Sequence, residues 1–110
     1  MAPLTIEQKV NRAYRAQERD AARHIREGRT VESTVLADGT TARVGDQLDW
    51  YRVAYPGPAD DGLVTVTAIA PNGFLQVVYE REKVFGGLER AESIVDAAFL
   101  RAPLKVEVAS

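Results

Sequence analysis

The sequence contains no cysteine and only one histidine. The first absence excludes disulfides, iron–sulfur clusters, thiolate zinc sites and cysteine nucleophiles together. The second leaves no histidine-rich metal site within a single chain. Long hydrophobic runs are missing as well. The longest uninterrupted apolar stretch is Ala97 to Leu100, whereas a membrane helix needs about 20 residues. The opening residues, Met1 to Glu7, lack the basic start and apolar stretch of a secretory signal. These absences lead us to expect a cytoplasmic protein with no cofactor, no metal, no membrane partner and no small-molecule substrate. What remains is a chain of 110 residues, 45% hydrophobic and 27% charged. That is an ordinary globular composition at the length of one domain.

The net charge of −2 is unevenly divided. Residues 1–30 carry seven basic groups and four acidic ones, a balance of +3, so the remaining 80 residues sum to −5. The pattern is that of a basic arm on an acidic body.

The basic segment reads as a long amphipathic helix over residues 4–28. No glycine or proline interrupts it until Gly28, and Ala, Arg, Glu and Gln dominate. Thr5 is the expected N-cap, with Pro3 just before the helix, and Gly28 is the expected C-terminal stop. At about 100° per residue, Ile6, Val10, Ala13, Tyr14, Ala21 and Ile25 share one face. Directly opposite, Arg12, Arg15, Arg19, Arg23 and Arg26 form a stripe about 80° wide. Arginine in place of lysine favours bidentate contact with carboxylate or phosphate. The stripe is therefore the leading candidate surface, for an acidic protein or for nucleic acid. The plainer alternative is a solvated helix face. The whole-chain pI of about 5.4 lies below the basic range of a dedicated nucleic-acid binder.

The remainder, residues 30–110, reads as short strands. Thr30 to Ala37 and Thr40 to Val44 flank Asp38-Gly39, a pair typical of type I′ hairpin turns. Gln47 to Tyr55 is a third strand, and Pro56 to Gly62 is a loop by composition. Leu63 to Ala70 and Phe74 to Glu80 form a hairpin around Pro71-Asn72-Gly73. Leu88, Ala91, Val95, Ala98 and Phe99 have helical spacing, which predicts a short C-terminal helix over about 89–99; a closing strand over Ser93 to Leu100 is the alternative. Leu104, Val106 and Val108 alternate with Lys105 and Glu107, as in an edge strand.

Five or six short strands in this length suggest a small closed barrel. The stretch Ala42-Arg43-Val44-Gly45-Asp46-Gln47-Leu48-Asp49-Trp50 resembles the opening strand of SH3-like barrels, including KOW and Tudor-type modules. Leu63 to Ile69 followed by Asn72 to Tyr79 resembles their central hairpin. The resemblance covers about residues 41–101, while the PGPADDG insertion and the 89–99 segment depart from the family pattern. It implies a mainly β, α+β fold: an SH3-like barrel with a long N-terminal helix and a short C-terminal one. It carries over no binding residues, because this fold hosts many unrelated functions.

Alternation sets Trp50 and Tyr51 on opposite faces, so one of them points outward. With Tyr55 they form a candidate aromatic binding edge, although most barrel aromatics belong to a core. Nothing in the sequence marks a catalytic residue. His24 sits at the edge of the apolar helix face and reads as structural. Asp60-Asp61 lacks the alternating oxygen ligands of a calcium loop. Gly86-Gly87 lacks the Lys-Ser/Thr of a phosphate loop. Glu80, Glu82, Glu89 and Glu92 make an acidic surface. We therefore expect a non-enzymatic binding or adaptor module. It would act through the arginine helix and the aromatic edge on a protein or nucleic-acid partner. The alternative is a structural component of a larger assembly, such as a phage or phage-like particle, in which the long helix and the 105–108 strand pack between copies.

Overall fold

A computed structural model describes residues 3, 5–51 and 62–103 of the chain. Tyr55, the PGPADDG loop up to Asp60-Asp61 and the expected 104–108 strand lie outside the described residues. The fold is mainly β with one long helix, and among the described residues its strands form two antiparallel sheets.

Helix α1 spans Ile6–Arg26. Its start follows the sequence: Thr5 and Gln8 form a capping box, each side chain accepting a bond from the other's backbone N–H. At its end the Arg29 N–H donates to the His24 carbonyl, with Gly28 at φ +75 between them. The small sheet pairs β1 (Ser33–Val35) with β2 (Thr41–Arg43). The large sheet contains β3 (Gln47–Trp50), β4 (Leu63–Ile69), β5 (Phe74–Glu82), β6 (Leu88–Asp96) and β7 (Leu100–Arg101), in the order β6-β5-β4-β3-β7.

The segment expected to be a short C-terminal helix over 89–99 is strand β6 followed by a single 3₁₀ turn, Ala97–Phe99. Ala91 and Val95 do recur at helical spacing, but in β6 they sit on the inward face on either side of Ser93. Ser93 is polar because its hydroxyl pairs with the Tyr79 hydroxyl at 2.8 Å. An inward serine breaks the apolar alternation that would have marked a strand. A second difference lies in the third strand. It ends at Trp50, short of the expected Tyr55.

The order of the large sheet constrains its shape. Strands β6 and β7 stand at opposite ends of it, four inter-strand steps or about 19 Å apart if the sheet were flat. Yet only Ala97–Phe99 separates Asp96 from Leu100, a connection that reaches at most about 14 Å. The sheet must therefore roll so that its two edges approach. A β-bulge contributes the bend: the β4–β5 register shifts between Val66 and Ala68. The inward positions of β4 change parity there, from Val64 and Val66 to Ile69.

Inside the roll, Leu48, Val64, Val66, Leu75, Val77, Val95 and Leu100 pack together. Leu36 and Ala42 of the β1–β2 hairpin join them, so this hairpin caps the core. It is held in place by Ala37 N–H donating to Leu100 O at 3.1 Å and by Ala102 N–H donating to Asp38 Oδ2 at 3.0 Å. A second cluster lies on the outer face, where Phe74 and Ala70 meet Ala21, Tyr14, Ile25 and Ile94. Phe74 and Leu75 are both buried although they point to opposite faces: one anchors the helix, the other the core.

Three hairpin connections, those of β1–β2, β4–β5 and β5–β6, share one hydrogen-bond pattern. At Leu36/Thr40, Ala70/Phe74 and Lys83/Gly87 the first residue donates its N–H to the fifth and accepts from the fourth. This is a three-residue loop with a left-handed residue in its third position, here Gly39, Gly73 and Gly86 at φ +83, +87 and +91. The Asp38-Gly39 connection is thus one residue longer than the two-residue turn expected.

A Cβ on Gly73 would meet no atom within 4 Å, so backbone strain alone opposes a side chain there. Gly73→Val should cost about 1–3 kcal/mol in denaturant unfolding, with the strand pairing otherwise retained. Asp38 gives a pH signature. Hydrogen bonds from the Thr40 side chain and backbone, and from Ala102, hold its carboxyl below the ordinary 3.8. A depressed carboxyl contributes stability above its unfolded value and loses it as pH falls through the folded value. Wild type should weaken on acidification below about pH 4, and Asp38→Ala should weaken less over that interval in thermal melts.

Candidate functional site

The arginine stripe is present as a single exposed surface. Arg12, Arg15, Arg19, Arg23 and Arg26 are all exposed, on the side of α1 opposite the buried Ala21. Among the described residues only Arg23 of the five is in an ion pair, with Asp20 at 3.2 Å, and both members are more than half exposed. Such a pair contributes little. The other four guanidinium groups are held by no carboxylate among the described residues.

The helix is docked along only part of its length. Tyr14 meets the Phe74 ring at 5.4 Å and stacks on Phe99 at 5.9 Å. The Asn72 side-chain amide donates to the Gln17 carbonyl at 3.0 Å, tying the hairpin turn to the helix backbone. Ala21 and Ile25 complete the contact. Burial pushes the Tyr14 hydroxyl above its ordinary value of 10.0, and the Asp96 carboxylate adds to the shift. Before Tyr14 no described residue covers the apolar face: Ile6 is 83% exposed and Val10 61%.

Trp50 packs against the core, its ring edge-on to Tyr79 at 5.6 Å. Tyr51 is half-buried; its hydroxyl donates to the Ala98 carbonyl at 2.8 Å, and Arg101 lies over its ring at 4.8 Å. Arg101 also pairs with Asp49 at 2.8 Å. The expected outward-facing aromatic is thus Tyr51, covered in part by a cation, and the structure does not bring either ring together with the arginine stripe. His24 closes the helix end: its Nδ1 accepts from Arg29 Nε at 3.0 Å, and Arg29 pairs in turn with Glu27.

Two exposed features escaped sequence reasoning. The β5–β6 hairpin runs past the core and carries Val84, 92% exposed, and Phe85, fully exposed, at its tip. The signal available was two apolar residues immediately before Gly86-Gly87. The second feature is the edge of β6 that no described strand pairs with, hidden by the expectation of a helix there.

No group of three or more metal-ligating side chains occurs among the described residues. No helix among them is long and apolar enough to cross a membrane. The grooves on the surface are open and shallow. One, on the outer sheet face, is lined by Gln47, Thr65, Val78, Glu80 and Arg90. Comparisons with family models, with curated proteins and with solved structures find no match.

The half-docked helix can be tested by paired substitutions. Ile25→Asp, at the buried end, should cost about 2 kcal/mol or more. Ile6→Asp, at the free end, should change stability by no more than about 0.5 kcal/mol. Equal effects in thermal unfolding would mean that the first turns of α1 are supported as well as the last.

Proposed function

We propose that this chain is a non-enzymatic binding module that contacts an acidic protein surface through the arginine face of α1. The observation that supports the reading best is the joint exposure of Arg12, Arg15, Arg19, Arg23 and Arg26, with one weak ion pair among them. The stripe runs about 21 Å along the helix. That length matches a short acidic helix or strand. A long polyanion suits it less, because residues 31–110 carry a net −5 that would repel the rest of such a chain.

On this reading the rolled sheet is a small SH3-like barrel that serves as the platform for the helix. The return of β7 to a place beside β3, the first strand of the large sheet, supports it. Tyr51 would lie on a secondary edge of the same module. A second reading, a component of a larger assembly such as a phage-like particle, is favoured by the uncovered Ile6 and Val10.

The test replaces Arg15, Arg19 and Arg23 with Gln, which preserves helix propensity and removes three charges. Stability should change by about 0.5 kcal/mol or less per site. Binding of a labelled polyglutamate peptide, followed by fluorescence anisotropy, should weaken at least about tenfold in the variant, and wild-type binding should fall as salt rises. Tighter, salt-dependent capture of a short DNA duplex would move the reading to nucleic acid. Binding indifferent to both salt and the triple substitution would leave the stripe as a solvated face.

A further inference from the structure

Strand β6 is the long open edge of the large sheet. Its nine residues pair with β5 on one side, and among the described residues with no strand on the other. The opposite edge, β7, has only two residues. Natural edges of this length are normally guarded by proline, by bulges or by charges of one sign. Leu88–Asp96 has no proline, its register with β5 runs through nine consecutive pairs without a bulge, and the two charges on its outward face, Arg90 and Glu92, are of opposite sign.

We infer that this edge pairs with the same edge of a second copy of the chain, antiparallel and centred on Ala91, to form a two-fold symmetric dimer. The argument is one of register. Leu88, Arg90, Glu92 and Ile94 share the outward face of β6, and Glu89, Ala91 and Ser93 the inward one. A two-fold axis normal to the sheet keeps outward residues opposite outward residues. Centring on Arg90 would oppose two guanidinium groups, and centring on Glu92 two carboxylates. Centring on Glu89 again opposes like charges. Centring on Ser93 sets Glu92 against an isoleucine and leaves Leu88 without a counterpart. Centring on Ala91 sets Arg90 against the partner's Glu92 and Leu88 against the partner's Ile94, each pair occurring twice by symmetry. On the inward face Glu89 meets the partner's Ser93, so no like charges oppose. Directly opposed pairs of this kind are the unit of sheet stabilisation.

The same register accounts for the exposed apolar residues at this end of the molecule. Leu88 is 54% exposed and gains an apolar neighbour. Continued past the strand end, the register brings the turn that carries Val84 and Phe85 to the level of the partner's Ala97. The four residues that define the register are separate from the arginine face of α1, so the dimer does not rest on the reading proposed for that face.

The experiment is a charge swap read by size-exclusion chromatography with light scattering. The full chain should elute at twice its mass of 12.1 kDa. Arg90→Glu opposes Glu92 twice in its own dimer, and Glu92→Arg opposes Arg90 twice, so each variant alone should run as a monomer. Mixed together they should dimerise, because both cross-strand pairs are complementary in the mixed species. Arg90→Glu also faces Glu80 within its own chain. Should it fail to fold, Glu92→Arg, which lies opposite Val78, decides alone by its monomeric mass. A wild-type chain that remains at 12.1 kDa up to about 100 μM overturns the inference. So does a dimer that Glu92→Arg leaves intact, or a mixture of two folded variants that fails to associate.

Discussion

A three-residue connection has to carry the chain from one end of a five-stranded sheet to the other. Ala97–Phe99 can do this only if the sheet is rolled, and most of the remaining structure follows from that roll. Rolling turns one face of β4, β5 and β6 inward toward the core, and leaves the other face available to a helix. The bulge in β4 supplies the local bend, and the β1–β2 hairpin caps the core through bonds to Leu100 and Ala102. The same connection holds Phe99, on which Tyr14 stacks, so the link between β6 and β7 is also part of the seat of the helix.

That seat is small. Phe74, Ala70 and Ile94 present an apolar patch long enough for the last half of α1 and no more. The arginines on the far side are therefore held out from the body by a helix that is docked at one end. Among the described residues, Asp20 is the one carboxylate that an acidic target would have to displace. The edge of β6 belongs to the same hairpin that carries Phe74. The two candidate contact surfaces are thus mounted on one pair of strands.

The sequence exposed those features that depend on neighbours close along the chain. The Thr5 cap, the Gly28 stop and the arginine stripe are properties of a single helix, and each is found where local chemistry puts it. The Pro71-Asn72-Gly73 turn is equally local. What the sequence concealed depends on partners distant in the chain. Ser93 reads as surface until Tyr79 is placed opposite it, and without that pairing β6 passes for a helix. The apolar face of α1 looks uniform from Ile6 to Ile25, because its period carries no information about where the sheet beneath it ends. Trp50 and Tyr51 alternate as a strand should, but which ring stays open to solvent is decided by Ala98 and Arg101, some fifty residues on.

The partial docking of α1 has an energetic consequence along the helix itself. Its C-terminal turns can open only with the Phe74 cluster, at a substantial fraction of the global unfolding free energy. The eight residues from Ile6 to Ala13 are shorter than an isolated helix needs in water, and are held by the capping box and by continuity with the docked turns. They form a separate, less stable unit that opens by fraying from Thr5 inward. Arg12 lies in that unit, whereas Arg19, Arg23 and Arg26 belong to the docked turns. Any ligand that needs the full stripe must supply the ordering free energy of the first two turns. One that uses only the last three arginines meets a surface already in place.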